Sequence, residues 1–293
     1  MMQIIGKVLT MNTSDGMLNL QVADEQQKNW NIKASLDYHF LIGYVYIFEI
    51  SQTNKERLSY IVESYQSVED LSLEESDQIL RKFFPEAPLS LKEEQSYIQS
   101  VLDHMENKVI KDITETLLKE NEKKYFLYPA ASRMHHTYVG GLAYHCIGML
   151  KLAETFLKNY PYLKADYLYA GILLHDLGKT SELSGVQATE YTVEGQLLGH
   201  LVIGALEVGK KAAILGYGNC PEVKMLEHML ISHHGQPQFG AAKRPMTPEA
   251  IALWYIDTID SKFRVLGEEL NKTESNHFTD TIGVLDKIKI YKE

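Results

Sequence analysis

The chain has 293 residues, of which 45% are hydrophobic and 23% charged, and its net charge is −10. This composition is typical of a globular protein with one large domain or two smaller ones, and no apolar run approaches the ~20 residues that a membrane helix needs. The acidic balance argues against a protein that coats nucleic acid by bulk attraction, but it leaves nucleic acid open as a substrate. Because there is no signal-peptide pattern and only two cysteines are present, we expect a cytoplasmic protein.

Residues 1–66 are predicted to form a small β-domain, because short β-rich runs alternate there with turn residues. Five strands are predicted, over residues 3–11, 17–23, 29–34, 44–52 and 58–65. Strands of this number and length favour a small barrel. An OB-like barrel fits, with residues 36–43 connecting the third and fourth strands, and an SH3-like barrel is the alternative.

The role of this β-domain is open between nucleic-acid binding and protein contact. Its aromatic residues are available for base stacking, although some of them must fill the barrel core: Trp30, Tyr38, Phe40, Tyr44 and Tyr46. Residues 1–66 contain five Lys and Arg against seven Asp and Glu, a net charge of −2, which is acidic for a nucleic-acid platform. The platform role is therefore a hypothesis that aromatic content favours and charge opposes.

From about residue 68 onward, the apolar spacing becomes helical. A helix is predicted over residues 71–84, Pro85 and Pro88 then interrupt the chain, and a long helix with room for one break is predicted over residues 92–126. Residues 67–124 are assigned to a helical connector. The third domain, residues 125–293, has predicted helices over residues 141–159, 164–175, 197–216, 222–233 and 248–270. The predicted fold class is α+β, a small N-terminal OB-like β-barrel followed by a mainly α-helical domain.

The motif GILLHDLGK, which contains His175, Asp176 and Lys179, carries the strongest chemical signal. Adjacent residues on a helix point about 100° apart, so His175 and Asp176 can approach one cation from two sides, and Asp176 can also reach a second cation. A charge buried beside so many apolar residues is costly without a partner. A bound cation would supply that partner.

Further polar residues lie on apolar helix faces in the motifs GGLAYH, GQLLGH, ISHHG and LWYIDTID. They are His145, His200, His233, His234, Asp257 and Asp260. Taken singly, each histidine could be an ordinary core residue, and Asp260 could simply pair with Arg264 one turn later. The order H…HD…H…HH…D favours a metal centre, and imidazole with carboxylate donors suits Mn, Fe, Co, Ni or Zn better than Ca.

At these residues the sequence resembles the HD superfamily of metal-dependent phosphohydrolases and, more closely, the YhaM-type 3′→5′ exoribonucleases. In that family an N-terminal OB-type domain precedes the HD domain, so the resemblance implies that residues 125–293 are an HD domain. It runs with good specificity from about residue 125 to residue 270. The stretches that carry it are YPAASRMHHTYVGGLAYH, AGILLHDLGKTSELSG, EGQLLGH, ISHHG and MTPEAIALWYIDTID.

The resemblance implies two divalent metal ions, with manganese expected and Fe, Co, Ni, Zn or Mg as alternatives. One ion would be held by His145, His175, Asp176 and Asp257. The second would be held by His200, His233 and His234, with Asp176 bridging the two ions. The carboxylate of Asp176 is thus expected to be essential for catalysis.

The resemblance also implies contacts with a substrate. Lys179 would lie near the scissile phosphate and act as a catalytic residue beside Asp176. Three residues precede the first metal helix and would contact substrate phosphate or sugar, with a purely structural role as the alternative: Arg133, His135 and His136.

The implied activity is metal-dependent hydrolysis of single-stranded RNA from its 3′ end to nucleoside 5′-monophosphates, with single-stranded DNA as a further substrate. Two other functions stay open. One is an HD phosphohydrolase or phosphodiesterase for a nucleotide or a cyclic dinucleotide, and the other is a non-catalytic nucleic-acid-binding protein. The expected partner is a single-stranded nucleic acid and not a membrane, and a homo-oligomer is one option for the assembly.

Overall fold

A computed structural model describes residues 1–54, 59–130 and 138–293 of the chain. The chain divides into two compact units. The first consists of Met1–Glu86 together with Ser184–Glu190, and the second of Ala87–Leu183 together with Tyr191–Glu293. The predicted domain boundaries at residues 66 and 124 stay predictions.

The first unit contains a closed five-stranded barrel with the strand order β1-β2-β3-β5-β4. The strands are β1 (Met2–Ser14), β2 (Met17–Asp24), β3 (Asn29–Ala34), β4 (Val45–Asn54) and β5 (Ser59–Ser67). β1 pairs antiparallel with both β2 and β4, and the parallel pair β3–β5 closes the barrel. All five predicted strands are present, and the predicted fold class, with its OB-like barrel, is confirmed.

The barrel core contains two of the five aromatic side chains that were candidates for base stacking, and the other three pack against it. Phe40 and Tyr46 are buried in it, with their ring centroids 5.2 Å apart in an edge-to-face arrangement. Trp30, Tyr38 and Tyr44 are partly buried and pack against the same core. As expected for some of these rings, Phe40 and Tyr46 fill the interior of the small barrel. The role of the barrel as a nucleic-acid platform stays a prediction.

The segment Ser184–Glu190 belongs to the first unit although it comes from much later in the chain. Its Gln187 side chain is buried and accepts a hydrogen bond from the backbone N–H of Val45 (2.8 Å). The same carboxamide donates to Glu69 (3.2 Å). In this unit a 3-10 turn (Val68–Asp70) and the helix α1 (Leu73–Phe83) follow the barrel.

The second unit is mainly helical. Its helices are α2 (Leu91–Asp103), α3 (Lys108–Glu120), α4 (Glu122–Leu127), α5 (Gly141–Asn159), α6 (Ala165–Leu174), α7 (Lys179–Glu182), α8 (Val193–Ile214), α9 (Pro221–Ser232) and α10 (Pro248–Lys272). A small antiparallel sheet of β6 (His277–Phe278) and β7 (Tyr291–Lys292) follows. Across residues 1–54, 59–130 and 138–293, no helix is long and apolar enough to cross a membrane.

The segment predicted as a long helix with room for one break over residues 92–126 has two breaks, which divide it into the helices α2, α3 and α4. The first division has a local cause, because the side chain of Asn107 accepts a hydrogen bond from the backbone N–H of Ile110 and so caps a new helix start. The short helix α7 and the strands β6 and β7 were not predicted. Helix α5 begins and ends at the predicted residues.

Candidate metal centre

The predicted metal ligands come together from five helices of the second unit. They lie on α5 (His145), after α6 (His175 and Asp176), on α8 (His200), after α9 (His233 and His234) and on α10 (Asp257). Helix α6 is apolar and largely buried, so its C-terminal end carries His175 and Asp176 into the protein interior, where they are 0% and 3% exposed. The sequence therefore delivers polar side chains to a site that bulk water scarcely reaches.

Two groups of donor atoms face one another at this site. His145, His175 and Asp176 each offer an atom within 4.8 Å of the others. His200, His233 and His234 form a second group with the same spacing. The first group contains three of the four ligands predicted for one ion, and the second contains the three histidines predicted for the other.

Asp176 lies between the two groups, and each of its carboxylate oxygens is directed to a different side. Its Oδ2 atom is 3.2 Å from Nε2 of His175, while its Oδ1 atom is 3.3 Å from Nε2 of His200 and 3.9 Å from Nε2 of His233. On the first side, the Oδ1 atom of Asp257 is 3.2 Å from Nε2 of His145. Asp257 also joins His175 and His233 in a third, overlapping group of possible donors. One carboxylate is thus positioned to serve two cations.

Four buried polar atoms at this centre make no hydrogen bond within the part of the chain that the structure describes. They are Nε2 of His175, Oδ1 of Asp176, Nε2 of His200 and Nε2 of His233. A buried polar atom without a partner costs about 1–3 kcal/mol. Cations between the two groups would coordinate all four atoms, so the donor set fits divalent metal ions.

The opposite edges of three rings are fixed by main-chain carbonyl oxygens, to which each Nδ1 donates. The pairs are His175 with Ile172 (2.7 Å), His233 with Leu230 (2.8 Å) and His234 with Phe239 (2.8 Å). Since a carbonyl oxygen can only accept, the proton resides on Nδ1 and the Nε2 lone pair is left for a cation. The backbone therefore selects the tautomer that metal binding requires.

Two other rings are held by carboxylates instead. Nδ1 of His145 is 2.8 Å from Oδ2 of Asp260, and Nδ1 of His200 is 2.9 Å from Oε2 of Glu182. Sequence reasoning gave Glu182 no role at the centre, and it left Asp260 outside both ligand sets, with pairing to Arg264 as an alternative role. Asp260 contacts both His145 and Arg264, because Nε of Arg264 is 2.6 Å from the same Oδ2 atom.

The protonation of the histidines differs across the centre. Burial lowers the pKa of His233 and His234, so these rings are neutral and ready to bind a cation. Burial would also lower the pKa of His145, but the hydrogen bonds that its ring donates to Asp257 and Asp260 raise it to about 9. The two carboxylates therefore favour the protonated ring of His145, and a cation bound there would have to displace that proton.

Lys179 is paired with Asp176. Its Nζ atom donates to Oδ2 of Asp176 (2.6 Å) and to the carbonyl oxygen of Ala130 (2.6 Å). Burial would lower the pKa of Lys179, but the Asp176 carboxylate outweighs that effect and raises it, so the ammonium stays charged. Its predicted place beside a scissile phosphate stays a prediction. The predicted substrate contacts Arg133, His135 and His136 lie outside the described residues.

Residues 142–262 match the HD domain family. A protein named 3′-5′ exoribonuclease YhaM from Geobacillus sp. (strain WCH70) is 43% identical over 210 residues, which is 72% of this chain and 64% of that protein. Proteins of the same name from Bacillus subtilis (strain 168) and Bacillus pumilus (strain SAFR-032) are 41% and 40% identical, over 72% and 74% of this chain and 67% and 69% of their own lengths. No solved structure matches the chain.

The fold and the site define an HD-domain protein, a class that depends on divalent metal ions. The matched region spans about two thirds of the length of the relatives. Their identity over most of this chain shows the narrower group as well. The chain belongs to the YhaM family.

Proposed function

We propose that this protein is a metal-dependent 3′→5′ exoribonuclease that hydrolyses single-stranded RNA at a two-metal HD centre. The observation that carries the proposal is the set of four buried donor atoms that lack hydrogen bonds where two His/Asp groups meet. Leaving such a set buried without partners is costly, and cations between the groups would remove that cost. The substrate and the direction of hydrolysis are supported by the family, whose members are named 3′-5′ exoribonuclease YhaM.

The proposed ligand sets follow the two groups of donors. His145, His175, Asp176 and Asp257 would hold one ion. The second ion would be held by His200, His233 and His234, with Asp176 available to both. The mixture of imidazole nitrogen and carboxylate oxygen suits manganese, and Fe, Co, Ni, Zn or Mg are the alternatives.

When bound, divalent ions lower the pKa of a water molecule and neutralise charge on a phosphodiester. The protein's own groups prepare the site for that chemistry. Lys179 holds the Asp176 carboxylate in place through a charged hydrogen bond of 2.6 Å. The same ammonium keeps positive charge at the centre, where negative charge on a phosphate develops during hydrolysis. The products are nucleoside 5′-monophosphates. Single-stranded DNA is a second proposed substrate.

The N-terminal barrel is proposed to contact the single strand through its polar outer face. Side chains of three neighbouring strands line a shallow cleft there: Thr10, Asn12, Asn19, Gln21, Asn31 and Lys33. Paired positions on adjacent strands, such as Asn19 with Lys33 and Gln21 with Asn31, place these groups side by side. Amide and ammonium groups can donate to phosphates and base edges, so this face is the candidate contact surface.

The test uses a 5′-labelled single-stranded RNA with Mn²⁺, resolved by length over time. We expect a ladder that descends one nucleotide at a time, and no cleavage by the Asp176→Ala variant. A 3′-labelled RNA should release labelled mononucleotide at once. Equal cleavage of circular and linear RNA would identify an endonuclease. Turnover of a cyclic dinucleotide or a nucleotide without any RNA cleavage would replace the proposed substrate class.

A further inference from the structure

The five histidines at the centre are held in two different ways. Main-chain carbonyl oxygens hold Nδ1 of His175, His233 and His234. Carboxylates hold Nδ1 of the other two, with Asp260 behind His145 and Glu182 behind His200. One carboxylate-backed histidine belongs to each group of donor atoms. In each of the two groups, one histidine therefore has a carboxylate at its Nδ1 atom, on the side of the ring opposite Nε2.

We infer that Glu182 and Asp260 are positioning residues, one for each metal ion. Each orients its histidine and increases the electron density that the Nε2 atom offers to the cation. This inference rests on the proposed two-metal function. It assigns a role to two residues outside both proposed ligand sets.

The surroundings of Glu182 are built for contact with His200. The carboxylate accepts from Nδ1 of His200 at 2.9 Å and from its backbone N–H at 3.1 Å, so both the ring and the main chain are fixed. A β-carbon at Gly195 would overlap the carbonyl oxygen of Glu182, and one at Gly178 would overlap that of His200. Helices α7 and α8 can approach this closely only because both positions are glycine.

Asp260 lies three residues after the proposed ligand Asp257, on the same helix. Its carboxylate is buried, and Nε of Arg264 contacts it at 2.6 Å. The guanidinium of Arg264 in turn lies 4.0 Å from the centre of the Tyr144 ring. This arrangement compensates the burial of the carboxylate and holds it against His145.

A purely structural role does not account for the choice of a carboxylate. Carbonyl oxygens already fix the tautomer of three rings at the same centre, without a charge to bury. Burying a carboxylate is more costly than using a carbonyl oxygen. What the carboxylate adds is a full negative charge behind the ring, and that charge is useful only if the ring faces a cation.

The test measures metal binding by the full-length protein. Mn²⁺ stoichiometry and affinity are determined by calorimetry for wild type, Glu182→Ala, Glu182→Gln and Asp260→Asn. We expect each variant to lose roughly 10- to 100-fold in affinity for one of two ions while the other ion binds as in wild type. Glu182→Gln should lose less than Glu182→Ala, because the amide oxygen still accepts from Nδ1–H. The exposed Glu194 on α8 provides a matched control as Glu194→Ala.

A second readout does not require metal or activity. Nitrogen NMR of the metal-free protein reports which ring nitrogen of His200 carries the proton. We expect Nδ1–H in wild type and in Glu182→Gln, and a mixture of tautomers in Glu182→Ala. If Glu182→Ala does not fold, Glu182→Gln still tests the inference, because it keeps the shape of the side chain and removes the charge.

The outcomes separate the two proposals. A wild-type protein that binds two ions, with unchanged affinities in all three variants, would overturn the positioning roles alone. A wild-type protein that binds fewer than two ions would overturn the two-metal centre, and the inference that rests on it. Selective loss of one ion in each variant supports both.

Discussion

Asp176→Ala is expected to abolish RNA hydrolysis and to destabilise the protein, for separate reasons. The carboxylate lies 2.6 Å from the Lys179 ammonium and 3.3 Å from Nε2 of His200, so it neutralises one charge and is positioned to bridge two cations. Removing one member of a buried ion pair costs about 3–5 kcal/mol. Since domains are stable by about 5–15 kcal/mol, we expect the variant to remain folded but closer to its unfolding threshold.

A second substitution separates these two effects. Lys179→Met removes the charge that Asp176→Ala leaves uncompensated, while it preserves much of the length of the side chain. The double variant should be more stable than the single Asp176→Ala variant, with a coupling free energy of about 0.5–3 kcal/mol. Its activity should stay below about a tenth of wild type, which corresponds to at least ~1.4 kcal/mol of lost transition-state stabilisation, because the bridging carboxylate is still missing.

Urea unfolding followed by circular dichroism gives the free energies of unfolding, and hydrolysis of labelled RNA with Mn²⁺ gives the activities. Lys158 is exposed on α5, so Lys158→Met serves as the control for loss of a lysine charge. More than a tenth of wild-type activity in Asp176→Ala would refute the bridging assignment. A double variant no more stable than Asp176→Ala would refute the ion-pair reasoning.

Three further predictions concern pH, the barrel and helix packing. The metal-free protein should lose up to roughly 3 kcal/mol of stability as pH rises from 6.5 to 9. The pKa of His145 is raised to about 9 in the folded protein, so its protonation stabilises the fold fully only below the pKa of an unfolded histidine. Thermal melts with and without Mn²⁺ measure this loss. Lys33→Ala should weaken oligoribonucleotide binding and reduce the slope of log affinity against log salt concentration by about 1. Cleavage of the small substrate bis-p-nitrophenyl phosphate should be unchanged. Gly195→Ala should lower the free energy of unfolding by about 1–3 kcal/mol and reduce the metal content, because the added β-carbon overlaps Glu182. At Gly267 on α10, an added β-carbon meets no atom within 4 Å, so Gly267→Ala should be stabilising.

Each of these has a contrary outcome. Metal-free stability that stays constant between pH 6.5 and 9 would contradict the raised pKa of His145. A parallel fall in oligonucleotide binding and in cleavage of the small phosphodiester would assign Lys33 a structural role. Equal effects of the two glycine substitutions would contradict the close approach of α7 and α8.

The parts of the protein that depend on local pattern were predictable from sequence. Alternation and turn residues gave the five barrel strands, and the apolar helix before His175 indicated that a charged pair enters the interior. The two ends of helix α5 could be predicted because Gly141 and Asn159 lie at the ends of a stretch with apolar residues at helical spacing. Such features are encoded within a dozen residues, so a reading of short windows recovers them.

The parts that depend on distant contacts were not predictable. Glu182 contacts His200 across 18 residues, and that contact depends on how closely α7 approaches α8. Phe40 and Tyr46 pack inward because the barrel closes around them. The positions of aromatic residues along the sequence do not show which rings such a closed barrel buries. Likewise, the sequence shows a lysine after the HD pair, but it does not show that Ala130 and Asp176 hold its ammonium.

The segment Ser184–Glu190 has a consequence for how the chain acquires its fold during synthesis. The acceptor for the buried backbone N–H of Val45 is the side chain of Gln187, 142 residues further along the chain. A ribosome that has released only residues 1–86 has therefore not yet supplied a hydrogen-bond partner that the finished first unit uses. We expect the nascent barrel to reach its full stability only after residue 190 has emerged. By then His145, His175 and Asp176 of the metal centre have been synthesised as well.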